Sequence, residues 1–458
     1  MRDILILALT GSLSIAALFR PVLGMLAYFA YTFTAPYSYT WGVARTFPHV
    51  QALAVCTIIG YVMSSEKRIP KQREFILLLT LWGFFAISTI TAFSPEEAMT
   101  YLVHVSKIIL MTVLCLLVIN SKDNLYLLAK VVALSIGLYA LKGGLFVILT
   151  GGQSTVWGPD GTILSNSNAI GLAMAVNVPL LYYLSREESH KWLRLLMKAM
   201  LVFSYLSVVC TFSRGAWLGL AVATGLIIAR SKRRLLIIAI LCICSVFASS
   251  LLMVYLPERV IDRFDALVNY DKDETGTAQE RFSSWEFCKR VGFANPFLGA
   301  GFDFVSAKVY MRYMPEHVEY WTKKLQSGTN QERVAWSCHN SWLTIWAEHG
   351  VPGMVLWLML LGSCFLSLHH VRKFGRTHKE HNWLVSYADM IAAALVVYVI
   401  TGTFLDAAYY DLLYFLVAAM VIMKDVLRKD LLPQASSSVS LEFGTPQMDQ
   451  KTSTSLPA

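Results

Sequence analysis

Long apolar stretches recur from one end of this chain to the other, and they limit the fold more than any other feature. A spanning helix needs about 20 mostly apolar residues, and it satisfies its backbone hydrogen bonds within itself. Of the 458 residues, 56% are hydrophobic and 15% charged, whereas soluble domains carry roughly 25% charged residues. The pattern therefore predicts an all-α fold, a polytopic transmembrane helical bundle.

The number of predicted spans depends on Arg20 and Pro21. One passage kinked there gives about twelve spans, and a turn between two short spans gives thirteen. Residues 1–19 have a minimal basic segment and no small-x-small cleavage site after them, so we expect a retained span. The apolar runs are 4–36, 49–63, 74–93, 101–119, 125–150, 167–185, 194–211, 213–229, 235–255, 351–368, 386–404 and 408–424.

Short basic clusters between the runs predict the orientation of the bundle. Cytoplasmic loops are enriched in Lys and Arg, and all the basic loops agree with one alternating topology. These loops follow residues 63, 185, 229, 368 and 424. The opposite, periplasm-like side then receives residues 37–48, 94–100, 151–166, 256–350 and 405–407. Because the net charge of +9 lies in these clusters, we expect no nucleic-acid partner.

Four regions follow from this topology: an N-terminal bundle (1–255), a large periplasmic loop (256–350), C-terminal transmembrane helices (351–430) and a disordered cytoplasmic tail (431–458). The large loop is polar and aromatic, and loops of this length in compact proteins usually have a function. We expect short helices in it near 278–291 and 303–312. The tail is rich in Ser, Thr, Gln and Pro, which is typical of disorder.

The eight cysteines include no CxxC pair and so give no metal signature. Cys288 and Cys338 both fall in the large loop. If this loop is periplasmic, a disulfide between them is one alternative.

Two arginines are candidates for binding phosphate. Arg214 lies where two spans meet on the predicted outer side, and Arg281 opens an amphipathic segment of the large loop. Guanidinium groups pair bidentately with phosphate oxygens. The alternatives are an interfacial arginine at Arg214, with its side chain extending to the membrane surface, and an ordinary surface charge at Arg281.

His339 is the candidate base. Asn340 or Ser341 could cap a helix that starts beside it, and Gly350 and Pro352 would end that helix. A histidine at a helix N-terminus tends to stay neutral, and a neutral imidazole can accept a proton from a hydroxyl. An interfacial aromatic cap is the alternative interpretation of His339.

Other polar residues are weaker candidates. On the outer side, Asn168 or Asn166 could cap a span or bind sugar, while Asp406 could hold an arginine or a substrate hydroxyl. Lys107 and Lys142 lie within spans and could be structural ion-pair partners.

The sequence has neither a P-loop nor a dinucleotide-binding glycine motif. Asp271 and Asp273 form a DxD string in an acidic stretch, which we do not interpret as a metal site. No cofactor is therefore expected. ATP and nucleotide sugars are scarce outside the cytoplasm, so a transfer reaction there needs a donor that is already activated.

With these features the sequence resembles the O-antigen ligase family. His339 and Asn340, nine further residues and then residues 350–353 (GVPG) are similar to the family's histidine and GxxG pattern. Arg214, together with Arg281 and the downstream residues 296–301 (PFLGAG), is similar to the family's arginines. The opening MRD and residues 41–48 resemble a subgroup of O-glycosylation ligases associated with exosortase systems.

The resemblance implies an inverting glycosyltransferase of the bacterial inner membrane. Its donor would be a polysaccharide on undecaprenyl pyrophosphate, its acceptor lipid A–core, and its surroundings membrane lipids. Arg214 and Arg281 would clamp the pyrophosphate and His339 would act on the acceptor hydroxyl. Asn168, Asn340 and Asp406 are further candidates for binding substrate.

Three alternatives to a ligase stay open from the sequence. The first, in the same class, is a protein O-oligosaccharyltransferase or an O-antigen polymerase, which differs in the acceptor. The second is a transporter of lipid-linked sugars, in which Lys107 and Lys142 would line a path through the bundle. The third is a scaffold subunit of an envelope complex.

Overall fold

The described part of the chain consists of helices and the loops between them, with no β-strand, as the sequence predicts. A computed structural model describes residues 1–65, 67, 69–231, 234, 277–317 and 337–442. The predicted run 235–255 and the string of Asp271 and Asp273 lie outside the described residues.

Fifteen α-helices are described, and we number them in chain order. They are α1 (Arg2–Phe19), α2 (Pro21–Thr34), α3 (Gly42–Thr46), α4 (His49–Met63), α5 (Arg73–Ile90), α6 (Pro95–Val118), α7 (Lys122–Leu149), α8 (Ser167–Glu187), α9 (Lys191–Val209), α10 (Arg214–Arg230), α11 (Thr277–Ala294), α12 (Ala307–Tyr313), α13 (Ser341–Thr377), α14 (Trp383–Gly402) and α15 (Asp411–Glu442).

Among these helices, eight are long and apolar enough to cross a membrane: α1, α5, α6, α7, α8, α9, α13 and α14. Two apolar helices, α2 and α4, are shorter. Large apolar side chains are also exposed along many of these helices, for example Leu138 and Val202. A soluble protein rarely exposes so much apolar surface, whereas a lipid environment covers it. The chain is thus an all-α, polytopic helical protein.

The first predicted passage is a helical hairpin, because the chain reverses at Arg20. Thr10 on α1 donates a hydrogen bond to the Tyr31 hydroxyl on α2 at 3.2 Å, and these residues are almost equidistant from the turn. Asp3 accepts a hydrogen bond from the Trp41 amide at 3.3 Å, which places the start of α1 beside the end of α2. Of the two alternatives left by the sequence, the structure therefore shows a turn between two short helices and not a single kinked passage.

One side of the bundle, here called the basic face, carries the predicted cytoplasmic loops. Asp389 on α14 bridges Arg230 at 3.4 Å and Arg372 at 2.5 Å. Glu74, which is fully buried, accepts a hydrogen bond from Lys424 at 2.9 Å. The buried carboxylates of Asp389 and Glu74 are therefore each paired with a basic side chain, because an unpaired charge in low-dielectric surroundings is unfavourable.

The opposite side, here called the His339 face, gathers the predicted outer segments. Phe93 donates a backbone hydrogen bond to Ala300 at 2.8 Å, and Val156 donates one to Cys210 at 2.9 Å. The first bond ties the loop before α6 to the layer that follows α11, and the second ties the loop before α8 to the turn after α9.

A second small core holds that layer together. It contains Phe287, Cys288, Val291, Ala300, Phe304, Ala307, Val309, Tyr310, Met314, Cys338 and Ala347. The Cys288–Cys338 disulfide, left open by the sequence, is formed inside this core. Helix α11 covers the predicted 278–291. Helix α12 begins later than the predicted 303, because Ser306 caps it by accepting from the Val309 amide at 3.3 Å.

Two of the predicted region boundaries fall within long helices. Gly350, with φ of +64°, kinks α13 where the predicted loop passes into the C-terminal helices. Helix α15 continues to Glu442, beyond the predicted start of a disordered tail at 431, and residues 443–458 lie outside the described residues.

Candidate functional site

Arg214 is the first residue of α10, directly after a tight turn between α9 and α10. Phe212 takes a positive φ of +52° in this turn. The Ser213 side chain then caps α10 by accepting from the Ala216 amide at 3.4 Å. The Arg214 guanidinium therefore extends from a helix N-terminus, where unpaired amides and the helix dipole already favour an anion.

Arg214 and Arg281 line the same cavity, which has a volume of about 970 Å³. The sequence separates these residues by 67 positions, yet α10 and α11 bring both side chains to one space. Both arginines are half-buried. Among the described lining residues of the cavity there is no carboxylate.

The rest of the cavity wall is mostly apolar and follows one side of α10. Most lining residues of this helix recur at helical spacing, and Leu220 lines the cavity as well: Arg214, Trp217, Leu218, Leu220, Ala221, Thr224, Gly225 and Ile228. From Arg214 to Ile228 the groove runs for ~21 Å along the helix axis at 1.5 Å per residue. The cavity thus combines a cationic end with a long apolar groove.

Phe404 holds the two arginine-bearing helices together. A Cβ added at Gly215 would come within 2.9 Å of the Phe404 Cβ, so glycine is needed for this close approach. On its other side Phe404 lies against Trp285 of α11, with 6.4 Å between ring centroids. Trp285 is four residues, or about one helical turn, after Arg281.

Asp406, two residues after Phe404, fixes the backbone of His339. Its carboxylate accepts from the amides of His339 at 2.9 Å and Asn340 at 3.3 Å, and it also accepts from the Thr344 hydroxyl. His339 has a positive φ of +47°, a strained conformation for a non-glycine residue. Among its described contacts, the Asp406 carboxylate therefore binds backbone amides and the Thr344 hydroxyl. The sequence suggested an arginine as one alternative partner, and none of these contacts is with an arginine.

Asn340 is the cap of α13, as the sequence suggested. It is buried, and its side-chain oxygen accepts from the amides of Trp342 at 2.9 Å and Leu343 at 3.1 Å. This use of the oxygen leaves only the amide group for the predicted contact with substrate.

The two glycine-containing motifs pack directly against each other. Ala300 donates to the Ala347 carbonyl at 2.8 Å, and Val351 donates to the Pro296 carbonyl at 2.7 Å. A Cβ at Gly299 would lie 2.3 Å from the Glu348 carbonyl carbon, and one at Gly350 would lie 2.6 Å from the Pro296 oxygen. Residues 296–301 and the kink of α13 therefore form one joint, and their glycines permit it.

A buried polar network beneath this joint was not identified from the sequence. The Tyr409 hydroxyl donates to Glu348 at 2.5 Å and lies 2.9 Å from His349 Nε2. His349 Nδ1 lies 2.5 Å from the Ser88 hydroxyl. Burial, and then the Glu348 carboxylate, raises the pKa of Tyr409 well above its ordinary value, so the phenol stays a donor.

The remaining candidates lie outside the arginine cavity. Asn166 caps α8 by accepting from the Ala169 amide at 2.8 Å. Asn168 is half-buried in the first turn of α8 and is not among the described residues that line the cavity. Lys107 and Lys142 are both exposed on their helices, so neither lines the buried path that a transporter would need. Within the described ranges, no cluster of three or more metal-ligating side chains occurs.

Comparison with known families agrees with this geometry. Residues 1–189 match a family of unknown function, DUF5935, and residues 199–358 match the family described as O-antigen ligase, Wzy_C. No curated protein matches the chain. The second match contains Arg214, Arg281 and His339. Residues 199–358 of the chain therefore match the O-antigen ligase family, a family of membrane ligases and polymerases of lipid-linked glycans.

Proposed function

We propose that the protein is an O-antigen ligase. It transfers a polysaccharide from undecaprenyl pyrophosphate to lipid A–core on the periplasmic side of the bacterial inner membrane. One observation carries this proposal: Arg214 and Arg281 line one end of an apolar groove. The segment that contains Phe404 also lines this groove, and its Asp406 binds the His339 amide.

The groove suits a donor with a long hydrocarbon tail and an anionic head. The lipid chain would lie along α10 against Trp217, Ala221 and Ile228. Burial of such a tail contributes about 0.8 kcal/mol per CH₂. The pyrophosphate would then reach the N-terminus of α10 and the two arginines.

The arginines would stabilise the leaving group. Attack of the acceptor hydroxyl on the anomeric carbon forms a new C–O bond, while the bond to the pyrophosphate oxygen breaks and that oxygen keeps the electron pair. Two guanidinium groups in a site of low dielectric favour the charge that develops there. We propose that this neutralisation makes a metal ion or a nucleotide unnecessary. Attack opposite the leaving group inverts the anomeric configuration.

His339 would take the proton of the acceptor hydroxyl. Its Nδ1 lies 3.1 Å from the Ser337 hydroxyl. In the tautomer that donates Nδ1–H to Ser337, the lone pair is on Nε2, where a general base needs it. The backbone contacts of Asp406 would keep this imidazole in place.

The charge distribution supports a periplasmic site. The basic clusters lie on the face opposite His339, and Lys and Arg favour the cytoplasmic side of a membrane. The subgroup of exosortase-associated ligases stays a prediction from the opening residues of the sequence.

The test is ligation in a strain that lacks its own ligase, with lipopolysaccharide separated on a gel. Wild type should restore a polysaccharide ladder. Arg214→Ala and Arg281→Ala should each reduce transfer about 100-fold or more, as expected for loss of transition-state charge stabilisation. His339→Ala should remove the ladder. Arg312→Ala is the control, because Arg312 is exposed in the same layer but is not among the described residues lining the cavity.

The outcomes distinguish the alternatives. Normal ladders from well-expressed Arg214→Ala and Arg281→Ala would contradict the clamp. Wild type that elongates glycan without attaching it to lipid A–core would indicate a polymerase. Glycan on a protein acceptor would indicate a protein O-oligosaccharyltransferase. Movement of lipid-linked glycan without transfer, unaffected by His339→Ala, would indicate a transporter.

A further inference from the structure

The residue before His339 is covalently bound to the helix that carries Arg281. Cys338 forms a disulfide with Cys288 of α11. Cys288 follows Arg281 by seven residues, which is two helical turns, so the two side chains leave the same side of α11 about 10 Å apart along its axis. The disulfide thus connects the two groups that the proposed reaction has to align, across 50 positions of sequence.

The His339 backbone is fixed from both directions. On the C-terminal side, Asp406 accepts from the His339 and Asn340 amides. On the N-terminal side lies Cys338, which is 2% exposed inside the second core. The positive φ of His339 persists only where its surroundings determine it. The disulfide and the Asp406 carboxylate are two such constraints, and they come from different parts of the chain, α11 and the segment between α14 and α15.

We propose that the Cys288–Cys338 disulfide is a positioning element of the active site, which holds His339 in register with Arg281, and that full transfer activity requires its oxidised form. The functional half of this inference rests on the proposed ligase. The structural half, the fixing of residues 337–343, does not.

Formation of the disulfide also requires a partner of a particular class to act on this chain. Two thiols lose two electrons and two protons, and a thiol–disulfide oxidoreductase supplies the disulfide that is reduced to a dithiol in exchange. Such oxidants act in the periplasm and not in the cytoplasm. The described free cysteines are Cys56, Cys115 and Cys364, which lie on helices of the bundle, and Cys210, which directly follows α9.

The first experiment is hydrogen exchange of the purified full-length protein in detergent. In Cys288→Ala/Cys338→Ala, amides in residues 337–343 should exchange about tenfold faster than in wild type, since the local conformation loses one of its two constraints. Cys210→Ala/Cys364→Ala, which removes two buried free thiols, is the matched control and should not alter this segment. Cys288→Val/Cys338→Val keeps apolar volume in the second core and should still exchange faster.

The second experiment is transfer with purified lipid-linked donor. Both variants that lack the disulfide should lose about tenfold or more in kcat, because small misplacement of a reacting group is costly, while the donor KM stays within about twofold. A disulfide that only stabilises the fold would predict normal kcat at temperatures where the variants are folded.

Each result decides a separate point. Unchanged exchange of residues 337–343 in the Ala and Val variants would overturn the positioning proposal, as would free thiols at 288 and 338 in peptide maps of active protein. Faster exchange with normal kcat would overturn the requirement for oxidation. Wild type without any transfer would count against the ligase, while the exchange measurement would still decide the positioning of His339.

Discussion

Replacement of Asp406 by alanine should disable the site while leaving the cavity in place. The change removes the acceptor of three hydrogen bonds, from the His339 and Asn340 amides and from the Thr344 hydroxyl. Hydrogen bonds to a charged group contribute about 1.5–3 kcal/mol each when they are well formed. Asp406 is half-buried and water can replace part of this, so we expect a local cost of about 2–4 kcal/mol.

The stabilisation lost with Asp406 is comparable to, or larger than, the strain in the His339 backbone. A non-glycine residue at positive φ is less stable than its relaxed form by about 1–3 kcal/mol. Without Asp406, His339 should return to negative φ, which moves the imidazole by more than 1 Å. Misplacement of this size lowers kcat by about 100-fold. The donor KM should change little, because the arginine cavity does not depend on Asp406.

The assay is transfer of glycan from purified lipid-linked donor, with kcat and KM measured separately. Asp406→Asn keeps one oxygen acceptor but no charge, so it should retain more activity than Asp406→Ala. Asp160→Ala is the control, since Asp160 is an exposed carboxylate in a loop of the same face. A folded Asp406→Ala protein with the kcat of wild type would show that His339 does not need this support, and our account of the site would be wrong.

Two further predictions concern stability. Gly219→Ala should lower the free energy of unfolding by about 1–3 kcal/mol, because its Cβ would lie 2.2 Å from Thr401 Oγ1 between packed helices. Gly225→Ala is the control and should not lower it, because no atom lies within 4 Å of the added Cβ. Thermal unfolding in detergent measures both. The hydrogen bond with Lys130 lowers the pKa of Glu188 below its ordinary value, so the stability it contributes is present above about pH 4.3 and is lost as pH falls through the lower, folded pKa. The difference in unfolding temperature between wild type and Glu188→Gln should therefore be largest near neutral pH and shrink below pH ~4; an equal difference at all pH values would contradict this.

Much of the fold follows from apolar length and loop charge. The sequence predicted the helical bundle and the short helix near 278–291, because these depend on local composition. It could not decide whether residues 4–36 form one passage or two. A run of apolar residues is compatible with either arrangement, and the contacts of Thr10 with Tyr31 and of Asp3 with Trp41 distinguish them.

The site was predictable only in part. Side-chain chemistry gave Arg214, Arg281 and His339 as candidates, and the fold brings the two arginines to one cavity. The same reasoning suggested that Asp406 could hold an arginine or a substrate hydroxyl. Among its described contacts are two main-chain amides and the Thr344 hydroxyl, and a contact with substrate stays a prediction. A carboxylate near an outer surface has several alternative partners, and the sequence does not say which of them lies opposite.

The buried network of Ser88, His349 and Tyr409 shows a second reason for incomplete prediction. Its members are 261 and 60 positions apart, on α5, α13 and the segment before α15. No spacing rule connects residues at such distances. Gly350 was visible as part of a motif, but its contact with Pro296, which explains the motif, depends on the packing of the whole layer.

The segment between α14 and α15, residues 403–410, determines the relative placement of the groups discussed above. Phe404 contacts the helices of both arginines, Asp406 fixes His339, and Tyr409 binds the network under the kink of α13. These three residues lie within six positions of one another, yet all are beyond the match to the O-antigen ligase family, which ends at 358. The matched region therefore contains the candidate reactive residues, and a neighbouring turn contacts the elements that carry them. A chain with the two arginines and the histidine but a different turn at this point would keep the chemistry of the residues and lose their alignment.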